Sequence, residues 1–190
     1  MNKIVVFGLT MLVAAYSWAL DIKRSEGELK ELPALFIDVG ACPFECCTYR
    51  AWKVKTNVDL FEKPNGTKIV GKLTKGEDVV GLTGEVHAKP ILVSVLSDHV
   101  DDSGNSFQRG DTFYVLTYLG EGFFRAWFDS KIFQISAIGV KNLFQYYSKD
   151  RVWAEASQRY DAVWWQKVKT KSGIVGWTKE NAFSGQDACG

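Results

Sequence analysis

Residues 164–177 read WWQKVKTKSGIVGW and carry two apolar runs on either side of a Lys-Ser-Gly turn. Serine and glycine at such a turn favour a tight connection between neighbouring strands. Because side chains alternate between the two faces of a strand, the mixed pattern also fits extended chain. The stretch therefore predicts a β-hairpin over residues 163–170 and 173–179. Its three tryptophans either fill a core or form a surface that grips a ligand.

The chain after residue 48 repeats this pattern of short apolar or alternating runs separated by glycine-bearing turns. Many short strands at this spacing are typical of a small barrel or sandwich. The sequence therefore predicts an all-β protein. Only residues 142–156 have helical character, apart from a short helical turn expected in residues 26–35 (EGELKELPAL). The further predicted strands are residues 52–61, 67–73, 78–86, 91–97, 112–119, 123–128 and 131–137.

The first nineteen residues have the pattern of an export signal. Lys3 gives a positive start, residues 4–15 (IVVFGLTMLVAA) form an uncharged apolar run, and Ser17 and Ala19 are small residues at the cleavage positions. The apolar run is short for a membrane span, which needs about twenty residues. We predict cleavage after Ala19, an exported protein that is periplasmic or extracellular, and no membrane span in the mature chain.

The charges of the chain are balanced, with 23 lysines and arginines against 22 aspartates and glutamates. Cleavage of the predicted signal would remove Lys3 and leave 22 against 22. A protein without net charge has no general field that attracts nucleic acid or anionic lipid. Nucleic acid is therefore not expected as a partner, and a charged ligand needs a local patch.

The four cysteines, Cys42, Cys46, Cys47 and Cys189, lie at the two ends of the predicted mature chain. An even number of cysteines in an exported protein indicates disulfides. A bond between the adjacent Cys46 and Cys47 is geometrically strained, so we expect one of these two to pair with Cys189 and the other with Cys42. A four-thiolate zinc site is the alternative, which an oxidising compartment disfavours. We predict no metal and no cofactor.

Two segments resemble the halves of the bacterial SH3 domain, a small five-stranded barrel found in many exported and cell-wall proteins. Residues 56–82 (TNVDLFEKPNGTKIVGKLTKGEDVVGL) resemble its opening, with an apolar pair, a proline turn, an apolar-x-x-leucine strand and a Lys-Gly-Glu turn. Residues 164–180 (WWQKVKTKSGIVGWTKE) resemble its closing hairpin, with a Lys-Val core strand, a glycine turn and a Gly-Trp pair.

In the family these halves follow one another closely, whereas residues 83–163 separate them here. Either one barrel is split by an insert, or two SH3-like units stand in tandem, with the second nested in or interleaved with the first. We favour two units, because residues 109–136 have a β-rich rhythm of their own. The predicted division is a signal peptide (1–19), a leader with a cysteine clasp (20–48), a first half or unit (49–98), an insert or second unit (99–162), and a closing hairpin with a cysteine tail (163–190).

The resemblance also assigns the faces of the hairpin. In the family the valine of the Lys-Val strand faces the core, which here implies that Val168 and Trp164 point inward. The alternation then leaves Trp165 outside with the strand's lysines, and a tryptophan–lysine surface stacks on a sugar ring or peptide and pairs with a carboxylate. Packing inside a small barrel is the alternative role for Trp165. The predicted ligand contacts are Trp165, Trp177, Lys167 and Lys169.

The resemblance implies a non-catalytic binding module for a cell-wall peptide or an exported protein. One alternative is a structural or inhibitory protein whose aromatic faces are buried in a protein–protein contact. Another is a cysteine hydrolase, for which His87 and His99 are the available bases, although we expect both in turns or at strand edges. We predict no enzymatic activity, because the disulfides use the thiols. The acidic residues from 98 to 102 lack the spacing of a calcium loop and are expected to be solvated.

Overall fold

The structure is a computed structural model that describes residues 20–144, 151–179 and 181–189. The predicted signal peptide, residues 1–19, lies outside the described residues. The described chain is all-β and contains no α-helix, and its sheets curl into a half-barrel. The predicted all-β class is therefore confirmed, whereas the SH3-like identity of the sheets stays a prediction.

The strands of the described chain are numbered β1 to β17 in chain order. Their bounds are β1 Ser25–Glu28, β2 Phe36–Val39, β3 Ala51–Val54, β4 Val58–Phe61, β5 Ile69–Leu73, β6 Asp78–Ala88, β7 Ile91–Val95, β8 His99–Val100, β9 Ser106–Phe107, β10 Thr112–Gly120, β11 Phe123–Phe128, β12 Lys131–Ser136, β13 Val140–Lys141, β14 Ala154–Ala156, β15 Ala162–Thr170, β16 Val175–Thr178 and β17 Phe183–Ser184.

Each strand predicted from the sequence coincides with an observed strand, except that residues 52–61 contain two, β3 and β4. The chain breaks between them at Asn57, whose side-chain Oδ1 accepts a hydrogen bond from the backbone N–H of Lys75 at 2.8 Å. Lys75 lies 18 residues further along the chain, so this bond ties the break between β3 and β4 to the turn between β5 and β6.

The helical turn expected in residues 26–35 is wrong, because residues 26–28 belong to β1 and residues 29–35 are non-helical chain that leads into β2. Pro33 disfavours helix in the residue before it, and pairing with strands distant in sequence outweighs weak local helix propensity. Residues 154–156, at the end of the stretch with helical character, form β14. Residues 145–150 of that stretch lie outside the described residues.

Seven strands form the first sheet, in the order β1-β12-β11-β10-β7-β14-β13. Its core is aromatic, with Phe113, Phe124 and Phe133 each at most 1% exposed. Aromatic and β-branched side chains fit such a pleated, half-buried surface well. Leu20, the first described residue, is buried in the same cluster. The leader therefore contributes to the core of this sheet as well as to its edge.

Eight strands form the second sheet, in the order β17-β3-β6-β15-β16-β4-β5, with β2 paired beside the second half of β6. Its core contains Trp52, Leu60, Val168 and Phe183, each at most 2% exposed. Strands β4 and β5 and the start of β6 lie in residues 56–82, and β16 and most of β15 lie in residues 164–180. The two fragments, far apart in the chain, therefore lie in one sheet.

Strands β6 and β15 lie next to each other in the middle of the second sheet, and they pair antiparallel along the whole length of β15. Two glycines of β6 let aromatic rings approach the backbone. A Cβ at Gly81 would lie 2.6 Å from the ring of Trp52, and a Cβ at Gly84 would overlap Tyr49 and Trp164. Close approach of this kind is a common reason for glycine inside a strand.

The chain crosses between the two sheets three times, from β1 to β2, from β6 to β7 and from β14 to β15. Strand β7, which the predicted division groups with the first unit, lies in the seven-stranded sheet. Asp38 in β2 also joins the sheets, because it accepts hydrogen bonds from Thr117 Oγ1 at 2.9 Å and from Arg125 Nη1 at 2.5 Å. The Asp38 side chain is 13% exposed, so this ion pair is partly shielded from water.

Two disulfides close the clasp, one between Cys42 and Cys47 and one between Cys46 and Cys189. This pairing is one of the two predicted from the sequence, and the adjacent cysteines do not bond to each other. The zinc alternative needs four convergent thiolates, whereas here every sulfur is bonded to another sulfur. The Cys46–Cys189 bond spans a sequence separation of 143 residues and ties the leader to the C-terminal tail.

Candidate functional site

Trp165, the centre of the predicted contact surface, is buried and only 3% exposed. The ring of Phe61 lies edge-on to it at 6.3 Å between centroids, and the ring of His87 lies at 6.4 Å. Lys179 Nζ lies 5.9 Å from the Trp165 ring centroid. The prediction that Trp165 faces solvent is therefore wrong, because side chains from β4, β6 and the end of the hairpin cover this face of β15.

Trp177 lies on the same face as Trp165 and is also buried, with 8% of it exposed. It is paired with Lys167 across the hairpin, and Lys167 Nζ lies 5.4 Å from its ring centroid. Lys169 is exposed on the same face. The structure thus brings the four predicted residues together, but the lysines rather than the rings are accessible. A ligand role for these residues stays a prediction.

Trp164 lies on the opposite face of β15 and packs against the cluster that contains the buried Val168, as predicted. Its Nε1–H donates a hydrogen bond to Tyr49 Oη at 3.3 Å. The ring of Phe44, from the clasp, lies edge-on at 5.8 Å between centroids. Trp164 is only half-buried, so the more accessible tryptophan of this pair is the one assigned to the core.

The accessible part of Trp164 lines a cleft beside the disulfides, which we call the clasp cleft. Its volume is about 500 Å³, inside the range of roughly 300–1,000 Å³ that is common for ligand sites. The clasp and the C-terminal tail form one wall, and the first half of β15 forms the other. The lining residues are Phe44, Ala162, Val163, Trp164, Gln166, Lys179, Asn181 and Gln186.

Amides and aromatic rings give the clasp cleft its chemistry. Gln186 Nε2 donates a hydrogen bond to Gln166 Oε1 at 3.0 Å, and both residues are buried, so these amides are fixed. Asn181 is exposed; its Oδ1 accepts a hydrogen bond from Lys55 Nζ at 3.4 Å, and its amide N–H groups are donors available to a ligand. Lys179 supplies the one positive charge among the residues of this lining. A cleft of this kind suits a ligand with peptide or hydroxyl groups and an apolar face.

Hydrogen bonds to backbone carbonyls hold the clasp wall in place beside Trp164. The N–H of Thr48 donates to the carbonyl of Gln186 at 2.8 Å, and the N–H of Cys47 donates to the carbonyl of Phe44 at 3.2 Å. Arg50 Nε donates to the carbonyl of Gly185 at 2.9 Å. Together with the two disulfides, these bonds set the position of the Phe44 ring.

A buried histidine borders Trp165 and was expected in a turn or at an edge. His87 lies within β6 and is 7% exposed. Its Nε2 lies 2.9 Å from Glu85 Oε2, and its Nδ1 lies 3.1 Å from Asn65 Nδ2. Because the amide nitrogen is a donor, Nδ1 accepts and Nε2–H donates to the carboxylate. The two-residue spacing of Glu85 and His87 on one strand face was the available sequence signal.

The cysteine-hydrolase alternative requires a thiolate within reach of a histidine base. In the structure all four sulfurs are in disulfides. The second candidate base, His99, stacks on Trp153 at 4.4 Å between centroids. Burial lowers the pKa of His99, and the nearby carboxylates of Asp101 and Asp102 oppose this shift.

The acidic residues from 98 to 102 hold a loop in place through hydrogen bonds to its backbone. The expectation that they are solvated is wrong for Asp101, which is 5% exposed. Asp101 accepts hydrogen bonds from the backbone N–H groups of Ser103, Asn105 and Ser136 at 2.9–3.0 Å. Asp98 accepts one from the backbone of Arg109 at 2.8 Å. Backbone donors already occupy carboxylate oxygens that a calcium ion would need.

Comparison of this chain with protein-family models, with curated proteins and with solved structures gives no match. Among the residues that the structure describes, no helix is long and apolar enough to cross a membrane.

Proposed function

We propose that this protein is an exported, non-catalytic binding module of the bacterial SH3 type that recognises a cell-wall peptide. The sequence resemblance of residues 56–82 and 164–180 supports the family, and the curled β-sheets agree with a small-barrel architecture. The two disulfides suit an oxidising compartment outside the cytoplasm.

The observation that carries the proposal is the clasp cleft, with the half-buried Trp164 on its floor. A peptide lying in it would place an apolar side chain against Trp164 and Phe44, and a main-chain amide against Asn181. The rings of Trp165 and Trp177 are buried, so this proposal moves the contact surface to the other face of β15.

A pulldown on isolated cell-wall material tests the proposal. The double variant Phe44→Ala/Asn181→Ala removes one aromatic and one amide contact, and we expect its retention to fall at least about tenfold, since each such contact is worth roughly 1 kcal/mol. The matched variant Lys167→Gln/Lys169→Gln, on the opposite face, should be retained like the unaltered protein. Loss of retention only in the lysine variant would return the site to the face first predicted, and retention of neither variant nor protein would reject wall binding.

A protein ligand is the second candidate, and the edge strand β2 favours it. Leu35, just before β2, and Ile37 and Val39 within it lie at alternate positions and are 40%, 44% and 74% exposed. Strand β2 pairs with β6 on one side, and an apolar strand at a sheet edge is a template for another chain. Capture of an exported protein that is lost with Ile37→Lys, combined with no retention on wall material, would select this candidate.

A further inference from the structure

A second cleft lies where the chain crosses between the two sheets, and we call it the junction cleft. Its volume is about 350 Å³, near the small end of the roughly 300–1,000 Å³ that ligand sites occupy. Lys89 lies on the crossing that leaves β6, and Arg159 lies on the crossing that returns to β15. Clefts between units of a fold are a common place for small ligands.

The charge of the junction cleft points to an anion. Lys89 and Arg159 are both exposed, and neither forms an ion pair with another residue in the described parts of the chain. Asp161 is the one carboxylate among the lining residues, so the cations are in excess. An arginine guanidinium matches the two oxygens of a carboxylate in a bidentate geometry that a lysine does not provide.

The floor and one wall of this cleft are fixed and differ in polarity. His87, 7% exposed, is held between Glu85 and Asn65 at 2.9 and 3.1 Å, so its ring is a rigid floor. Leu35 and Val163, each 40% exposed, supply apolar surface at the same cleft. Uncompensated cations beside apolar side chains complement a molecule with a carboxylate at one end and a hydrocarbon part at the other.

We propose that the junction cleft binds a small organic carboxylate. The carboxylate lies against Arg159 and Lys89, and the hydrocarbon part covers Leu35 and Val163. This site goes beyond the proposed function, since it shares only Ala162 and Val163 with the lining of the clasp cleft. Its cations lie on two of the three chain crossings, so a bound carboxylate would contact the connections from β6 to β7 and from β14 to β15.

The proposal is tested by titrating the full mature protein with acetate, butyrate and hexanoate. Calorimetry and amide NMR shifts measure the binding. Each methylene that reaches the apolar wall should tighten binding by about fourfold, from the transfer free energy of a buried CH₂. Hexylammonium, of equal length and opposite charge, should not bind. Equal affinity for acetate and hexanoate, or binding of hexylammonium, would overturn the proposal.

Matched charge variants locate the site. Arg159→Gln should weaken hexanoate binding about tenfold, because it removes a charge-assisted hydrogen bond, and Lys89→Gln should weaken it less. Lys131→Gln replaces an exposed lysine in β12 of the seven-stranded sheet and controls for net charge. It should leave hexanoate affinity unchanged. Equal weakening by Lys131→Gln would mean nonspecific attraction and would reject the site.

The clasp cleft and the junction cleft are distinguished by testing the variants of each site in the assay for the other. Phe44→Ala/Asn181→Ala should leave hexanoate affinity unchanged, and Arg159→Gln should leave retention on wall material unchanged. Far-ultraviolet circular dichroism of each variant establishes that it is folded before either assay is interpreted. If Arg159→Gln is unfolded, Asp161→Asn takes its place, and it should tighten hexanoate binding because it removes the one like charge.

Discussion

Trp164 and Trp165 are neighbours on one strand, yet their surroundings differ in a way that reverses the expectation from sequence. Trp164 faces the core cluster and is half-buried, with an accessible edge at the clasp cleft. Trp165 faces away from that cluster and is 3% exposed. Alternation along the strand correctly separates the two faces. What decides accessibility is which distant parts of the chain lie over each face.

The coverings of the two rings are also different in kind. Over Trp165 lie Phe61, His87 and the ammonium of Lys179, which come from strands of the same sheet or the hairpin's own end. Beside Trp164 lie Trp52, from β3 of the same sheet, and Phe44, which the disulfide clasp holds. Trp165 is therefore covered by its own sheet and the end of the hairpin, whereas Trp164 is covered in part by a segment whose position depends on covalent cross-links.

Removal of the long-range disulfide should have the largest effect on stability. It should change the surroundings of Trp164 but not those of Trp165. Replacing Cys46 and Cys189 with serine releases a crosslink with a sequence separation of 143 residues, which should lower the free energy of unfolding by about 5 kcal/mol in the chain-entropy treatment. The indole N–H signal of Trp164 should shift in NMR spectra, whereas that of Trp165 should stay in place.

The short disulfide provides the matched control. Replacing Cys42 and Cys47, with a sequence separation of 5, should lower the free energy of unfolding by only about 2 kcal/mol. Denaturation in urea measures both losses. A larger loss for the short crosslink, or an equal shift of both indole signals, would show that the clasp does not act on the Trp164 side alone.

Truncation of the two tryptophans should have the next largest effect on the free energy of unfolding, and it compares the burial of the two rings directly. Trp165→Ala removes a fully buried ring, and we expect it to lower the free energy of unfolding by about 3–5 kcal/mol. Trp164→Ala removes a half-buried ring, and we expect a loss of roughly 2 kcal/mol. Urea denaturation of the two variants under the same conditions gives the difference.

Phenylalanine at the same two positions separates packing from hydrogen bonding. Trp165 Nε1 is buried and has no hydrogen-bond partner among the described residues, so Trp165→Phe removes an unsatisfied donor and its loss should be small. Trp164→Phe removes the bond to Tyr49, whose hydroxyl keeps its own hydrogen bond to the Ala41 carbonyl. A Trp164→Ala loss greater than that of Trp165→Ala would contradict the assignment of the two faces.

Much of the fold could be predicted because the signals that determine it are local. Alternating runs and glycine turns mark β10, β11 and β12, and all three are present. The leader strands could not be found in this way. The segment SEGE of β1 is exposed throughout and forms a strand only because it pairs with β12. Pairing of this kind depends on a partner more than a hundred residues away, which no local pattern encodes.

The candidate site was only partly predictable for a related physical reason. Parity along β15 places Trp165 with Lys167, and the structure keeps that arrangement. Parity does not show that Phe61, on another strand, closes over the ring. The clasp cleft and the junction cleft likewise combine residues from segments separated by most of the chain. Their members, such as Phe44 beside Asn181, share no spacing that a sequence pattern would reveal.

The smallest expected effect on stability lies at the turn of the hairpin, away from the side chains that cover Trp164 and Trp165. Asp78 is bound by Lys171 Nζ and Lys53 Nζ, each at 2.8 Å, and all three side chains are well exposed. Hydrogen bonds from Lys171 first, and then from Lys53, lower the pKa of Asp78 from 3.8 to about 2. A lowered carboxyl pKa contributes stability above the unfolded value of 3.8, and that contribution is lost as the pH falls towards 2.

Lys171→Gln should therefore raise the pKa of Asp78 towards 3.8, with little change in stability at neutral pH because exposed ion pairs are weak. Lys53→Gln is the matched control and should raise the same pKa by a smaller amount. Carboxyl carbon shifts followed by NMR between pH 1.5 and about 6, which spans the usual aspartate range, measure all three proteins. A larger shift in the Lys53 variant would show that β3, rather than the hairpin turn, governs Asp78, and that the hairpin is more firmly held at this end than its exposure indicates.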